Sequence, residues 1–133
     1  MAFGAFFIAI GNQGVIAGAI PALYGFSGPN LVLGGAIHLI HGAILGVVYA
    51  LIVSGTGYGH HLDEVEKSAV WGIGYGVLTT VVLAAILMPI WLSSVGFPKA
   101  PSAPNFSPIG LVGHLIYGAV LGASYPPVRS QLE

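Results

Sequence analysis

From Leu31 to Val53 the chain carries no charged side chain. At about 1.5 Å of rise per residue, that run is long enough to cross the ~30 Å hydrocarbon core of a bilayer as a helix. No other feature constrains the fold as tightly, because lipid offers the backbone no hydrogen-bond partners and admits only helices and closed barrels. Three further runs of the same character are present. One extends from about Ala2 to Tyr24 and is ended by the turn Gly25-Phe26-Ser27-Gly28-Pro29-Asn30. Another begins after the charged group Asp63, Glu64, Glu66 and Lys67 and continues to about Leu92. The last follows a Pro-rich loop from Ser93 to Ser107 and extends from about Pro108 to Tyr125, where Pro126-Pro127 is expected to close it for want of a helical N–H. The expected fold is an all-α integral membrane four-helix bundle.

Composition agrees. Only 5% of the 133 residues are charged and 56% are hydrophobic, whereas a soluble domain carries about a quarter charged residues. Three Lys+Arg against four Asp+Glu leave a formal charge of -1, which removes the electrostatic case for a nucleic-acid partner. Zero Cys excludes a disulfide framework, iron–sulfur ligation and thiolate catalysis. The first run lacks a positively charged leader and a cleavage site, so it reads as a retained helix rather than a signal peptide. Four spans place Lys67 and Arg129 on one side and Lys99 on the other, which favours a multi-pass protein of the cell membrane with both termini cytoplasmic.

Self-comparison uncovers a duplication. The segment His38-Leu39-Ile40-His41-Gly42-Ala43-Ile44-Leu45-Gly46-Val47-Val48-Tyr49 aligns without gaps on His114-Leu115-Ile116-Tyr117-Gly118-Ala119-Val120-Leu121-Gly122-Ala123-Ser124-Tyr125. More faintly, Phe3-Gly4 aligns with Trp71-Gly72 and Pro21 with Pro89 at one common shift. The expected organisation is a single transmembrane domain over 1–133, with repeat one at about 2–53, an inner loop at 54–67 and repeat two at about 68–126. An even number of spans separates the halves, so the two-helix repeats are parallel, related by an axis near the membrane normal.

On a helix the repeated His, Gly, Gly and Tyr share one face. Gly42 and Gly46, and likewise Gly118 and Gly122, form GxxxG surfaces of the kind that let membrane helices approach closely. The plain reading is a packing seam in which His38 and His114 are interhelical hydrogen bonders. A sharper reading takes His38 and His114 as axial ligands of a b-type haem lying against the glycines. A third lines a proton or solute pathway with His38, His114, Tyr49 and Tyr125. His41 becomes Tyr117 in the second half, which argues against a symmetric two-metal site and marks His41 as the more dispensable imidazole.

Elsewhere the signals are thinner. His60-His61 with Asp63 and Glu64 is a candidate surface metal site, although such loop residues are more often simply solvated. Asn12 and Gln13 need hydrogen-bond partners within the first span. Tyr24, Tyr58, Trp71 and Trp91 stand near span ends, as interfacial anchors do, and Pro21 and Pro89 are expected to kink their helices.

The chain resembles an uncharacterised family of small four-span membrane proteins from halophilic archaea. The resemblance rests on Ile20-Pro21-Ala22-Leu23-Tyr24-Gly25, on the His38 to Tyr49 motif, on Met88-Pro89-Ile90-Trp91-Leu92 with Val95-Gly96-Phe97-Pro98, and on Gly113-His114-Leu115-Ile116-Tyr117-Gly118. Members are often labelled histidine kinases, yet no Walker loop or other kinase motif stands in this sequence. The resemblance implies no established activity and supplies no catalytic residues. A Ser/His/Asp triad is equally unsupported, since the one Asp, Asp63, falls in the inner loop far along the chain from His38 and His114. The expected function is therefore non-enzymatic: an accessory or structural subunit of a larger membrane complex, with an energy-transducing complex as one such setting. Its partners are the lipid bilayer and other membrane subunits or further copies of itself. A haem b electron carrier and a small oligomeric channel or transporter are the alternatives.

Overall fold

The computed structural model describes residues 13–57 and 64–132. The expectations for Asn12, Tyr58, His60, His61, Asp63 and the Phe3-Gly4 match lie outside the described residues. All regular structure among them is helical. The first helix, α1, is a π-helical turn at Val15–Ala19 running into Ile20–Ala22. Helix α2 is Leu31–Gly55, α3 is the continuous run Val65–Ser94, and α4 is Pro108–Leu132. Three of these, α2, α3 and α4, are long and apolar enough to cross a membrane, which makes this a membrane protein.

The helix boundaries have local causes. Asn30 takes an extended conformation and its side chain accepts from the Leu33 N–H at 2.9 Å, so α2 starts at Leu31. Ser107 does the same for the Gly110 N–H at 3.2 Å at the start of α4. Both α1 and α3 end in a glycine with left-handed φ followed by phenylalanine. The Gly25 and Phe26 N–H groups return to Ala22 and Pro21, and the Gly96 and Phe97 N–H groups to Ser93 and Leu92.

At Pro21 and Pro89, where kinks are expected, the helix changes its hydrogen bonding. A proline ring crowds the carbonyl four residues earlier and cannot bond to it, and in both helices the preceding turn widens to a π geometry. Ile20 N–H bonds to the Val15 carbonyl and Met88 N–H to the Leu83 carbonyl, each five residues back. The carbonyls that the prolines leave without a helical donor, those of Ala17 and Ala85, accept instead from the backbone N–H of Asn30 at 2.9 Å and of Asn105 at 2.8 Å. Each proline turn is thereby tied to the loop that follows it.

One boundary differs from expectation. Pro126 and Pro127 do not end α4, which continues to Leu132. Proline's fixed φ is itself helical, so two prolines remove the hydrogen bonds to the Gly122 and Ala123 carbonyls without forcing the chain out of the helix.

Packing falls into two hairpins of adjacent helices, α1 with α2 and α3 with α4, of which the second is much the more extensive. In the α3–α4 hairpin the backbones touch. Ser68, Gly72 and Gly76 of α3 face Gly122, Gly118 and His114 of α4 in antiparallel register. A Cβ added to Gly72 would strike the Gly118 carbonyl oxygen and stand 2.8 Å from the Gly122 Cα. In the other hairpin Gly34 lies against the backbone of Ile16 and the ring of Pro21. Between the hairpins it is side chains that meet. One cluster gathers Ala19 and Leu23 of α1 with Leu92, Met88 and Trp91 of α3, and another gathers Tyr49 and Val53 of α2 with Tyr75, Leu121 and Tyr125.

Candidate functional site between the hairpins

Several polar side chains of the spans, those of His114, Thr80, Tyr75 and Tyr117 among them, meet where glycines keep the helices near and aromatic rings fill the remaining gap. His114 is set on α4 where the glycine register brings its backbone against Gly76 of α3. Its Nδ1 lies 3.0 Å from the Thr80 hydroxyl, which itself donates to the Gly76 carbonyl at 2.8 Å. A hydroxyl has one proton to give, so while Thr80 donates to the Gly76 carbonyl its oxygen is free to accept from a proton on His114 Nδ1. His38 stands on α2 one turn before Gly42, and over Gly42 lies the ring of Tyr117, which follows His114 by one turn on α4. The two imidazoles singled out by the duplication therefore come from different hairpins into one neighbourhood, and both are half-buried.

His41 is not idle. Its Nε2 lies 2.5 Å from the Tyr24 hydroxyl, and the Tyr24 ring packs on the His41 ring and edge-on to Trp91. Tyr24 and Trp91, expected as interfacial anchors, thus spend their rings on tying α1, α2 and α3 together. The three histidines do not make a metal site: among the described residues no group of three or more His, Cys, Asp or Glu side chains could hold a metal ion.

The glycine faces divide their work. Gly118 and Gly122 form the backbone-to-backbone crossing with α3, as their spacing implies. Over Gly42 and Gly46 lie the Tyr117 ring and Leu121 of α4, at 3.6 to 3.7 Å from where a Cβ would stand. The Tyr117 hydroxyl donates to the Gly42 carbonyl at 2.5 Å, and Tyr75 of α3 likewise donates to the Leu45 carbonyl at 2.8 Å. Two phenols from the second hairpin are thus pinned to successive turns of α2. This bears on the haem reading. A porphyrin beside His38 and His114 needs a bare shelf of small residues, but Tyr117 and Leu121 cover one shelf and the α3 backbone covers the other. The residues present do not fit the group.

Further along the seam Tyr49 is sealed at 2% exposure between the rings of Tyr75 and Tyr125, whose centroids lie 5.1 and 6.1 Å away. Ser68 of α3 is fully buried against Gly122. Of these seam residues, Tyr75, Thr80 and Ser68 carried no sequence signal of their own. Gly72 and Gly76 stand one helical turn apart in a stretch that also holds Gly74, so spacing alone does not single them out.

Comparison with protein-family models, with curated proteins and with solved structures finds no match for this chain.

Proposed function

We propose that this chain is a non-enzymatic structural subunit of a larger assembly in the cell membrane, built from two copies of a kinked helical hairpin, with both termini cytoplasmic. The observation that carries the reading is where the protein spends its surface. Helix α2 buries only 11% of its most apolar window, and α4 17%. Its exposed residues, among them Leu39, Ile44, Val47 and Leu51, offer a long apolar face to lipid and to neighbouring subunits. The polar groups of the spans, by contrast, are largely engaged with one another: Tyr117 and Tyr75 on α2 carbonyls, Tyr24 with His41, Thr80 with His114. A protein that consumes its reactive side chains internally and leaves apolar helices outside is suited to holding neighbours together.

The duplication is supported by the kinks. The π bond closing at Ile20, the proline at Pro21 and the freed carbonyl of Ala17 recur at Met88, Pro89 and Ala85 with one common separation in sequence, and both freed carbonyls take an asparagine backbone donor. Purification in mild detergent, followed by native mass measurement and an absorption spectrum, tests the proposal. Other membrane polypeptides at fixed stoichiometry and no Soret band are expected. A lone 13.6 kDa chain would overturn the reading, a homo-oligomer without partners would favour the channel or transporter, and a retained Soret band would reinstate the haem carrier.

A further inference from the structure

We propose that the rim formed by residues 23–30 and 95–107 is a lipid-binding surface that lies within the headgroup layer of the bilayer instead of standing out in water. The two segments belong to one end of the molecule, because Leu23 packs in one cluster with Leu92, Phe97 and Ala100, and the Tyr24 ring meets the Trp91 ring edge-on. Charge is divided sharply between the ends. In these two segments only Lys99 is charged, whereas Glu64, Glu66 and Lys67 at the start of α3 and Arg129 in the last turn of α4 stand at the other end. The exposed side chains of the rim are large and apolar. Phe26 is 52% and Phe106 62% exposed, and Tyr24, Val95 and the adjoining Leu31 and Val32 of α2 are exposed too. Apolar exposure of that kind on connecting segments marks a surface whose partner is not water.

Lipid is singled out as that partner by the state of the backbone and by length. Irregular chain enters an apolar layer only when its N–H and C=O groups are satisfied within the protein. Leu23, Tyr24, Gly25, Phe26 and Asn30 return their N–H groups to α1 carbonyls, Val95, Gly96, Phe97 and Asn105 return theirs to α3, and Ala100 bonds to Phe97. Pro29, Pro98, Pro101 and Pro104 have no N–H to satisfy. Helix α2 has 25 residues, about 37 Å at helical rise, which is less than the ~40–45 Å of a bilayer with its headgroups. With the charged end of the bundle in one headgroup layer, Leu31 falls inside the other. The rim also adjoins the exposed apolar residues of the spans, Val32 of α2 and Ile90 of α3 among them, so it extends an interface that the helices already make with lipid. Lys99, on its long apolar stem, carries the ammonium group back to water.

The chain has no cysteine, so single spin labels report position without interference. Phe26→Cys, Phe106→Cys and Lys99→Cys are labelled one at a time in the full chain, reconstituted into phosphatidylcholine vesicles. Power-saturation EPR then compares collisions with oxygen, which concentrates in lipid, against collisions with a water-soluble nickel chelate. Labels at 26 and 106 are expected to favour oxygen and the label at 99 to favour nickel. Should either phenylalanine variant fail to fold, Val95→Cys, on the same rim, takes its place. Labels at 26 and 106 that meet nickel as freely as the label at 99 would put the rim in water and overturn the proposal. Labels shielded from both reagents would overturn it as well, since a protein surface would then cover the rim. Neither result depends on whether the chain has partner subunits along its helices.

Discussion

At the scale of single residues, the seam shows how a membrane protein uses a tyrosine where the aligned segment of the same chain has a histidine. Tyr117 occupies the position of His41, yet the two point to different tasks, one to the Gly42 carbonyl and the other to the Tyr24 hydroxyl. Hydrogen bonds between membrane helices contribute about 0.6 to 1.7 kcal/mol, while emptying the site of an aromatic ring costs about 3 to 5 kcal/mol. Tyr117→Phe should therefore lower stability in detergent by about 1 kcal/mol and Tyr117→Ala by several times that, read from thermal or denaturant unfolding. Equal effects would mean that the ring does not fill the space over Gly42 and Gly46. His41 follows the same logic. The alignment marks it as the dispensable imidazole, but only the fold shows it bonded to Tyr24, so its removal loosens the turn after α1.

At the scale of helices, glycines that look alike in the sequence divide by what faces them. Gly72, Gly118 and Gly122 leave no room for a Cβ without moving backbone, whereas nothing stands within 4 Å of one at Gly74. Overpacking costs about 1 to 3 kcal/mol, and Gly→Ala in a free helical position gains up to about 1 kcal/mol. Gly72→Ala and Gly118→Ala should thus destabilise the protein by about 2 kcal/mol or more, Gly42→Ala only slightly, and Gly74→Ala not at all, as thermal unfolding of the four variants would show. The GxxxG spacing in α4 made half of this seam legible. Its partner on α3 was obscured by the additional Gly74, because a spacing rule names a face but does not say which of two overlapping faces meets a neighbour.

At the scale of the molecule, α3 is the element that fixes topology. It is 30 residues long, about 45 Å at helical rise, and its π turn and proline kink give it the means to fit a thinner core. Glu64 and Lys99 flank it. Single cysteines introduced at these two positions should react with an impermeant maleimide from opposite faces of sealed vesicles, and labelling from one face would end the spanning assignment of α3.

The sequence alone determined that the chain is helical and lives in a membrane, because uncharged runs of this length have no other stable backbone arrangement in lipid. It also determined where α2 and α3 lie to within a turn, and it aligned His38 with His114, because hydrophobic length and internal repetition are properties of the chain itself. Only the tertiary structure decided that α4 continues through Pro126 and Pro127. It alone decided, too, that Gly42 and Gly46 seat a tyrosine while Gly118 and Gly122 meet backbone. Those outcomes depend on what stands opposite each residue, and a glycine or a hydroxyl carries no mark of its neighbour until the helices have packed.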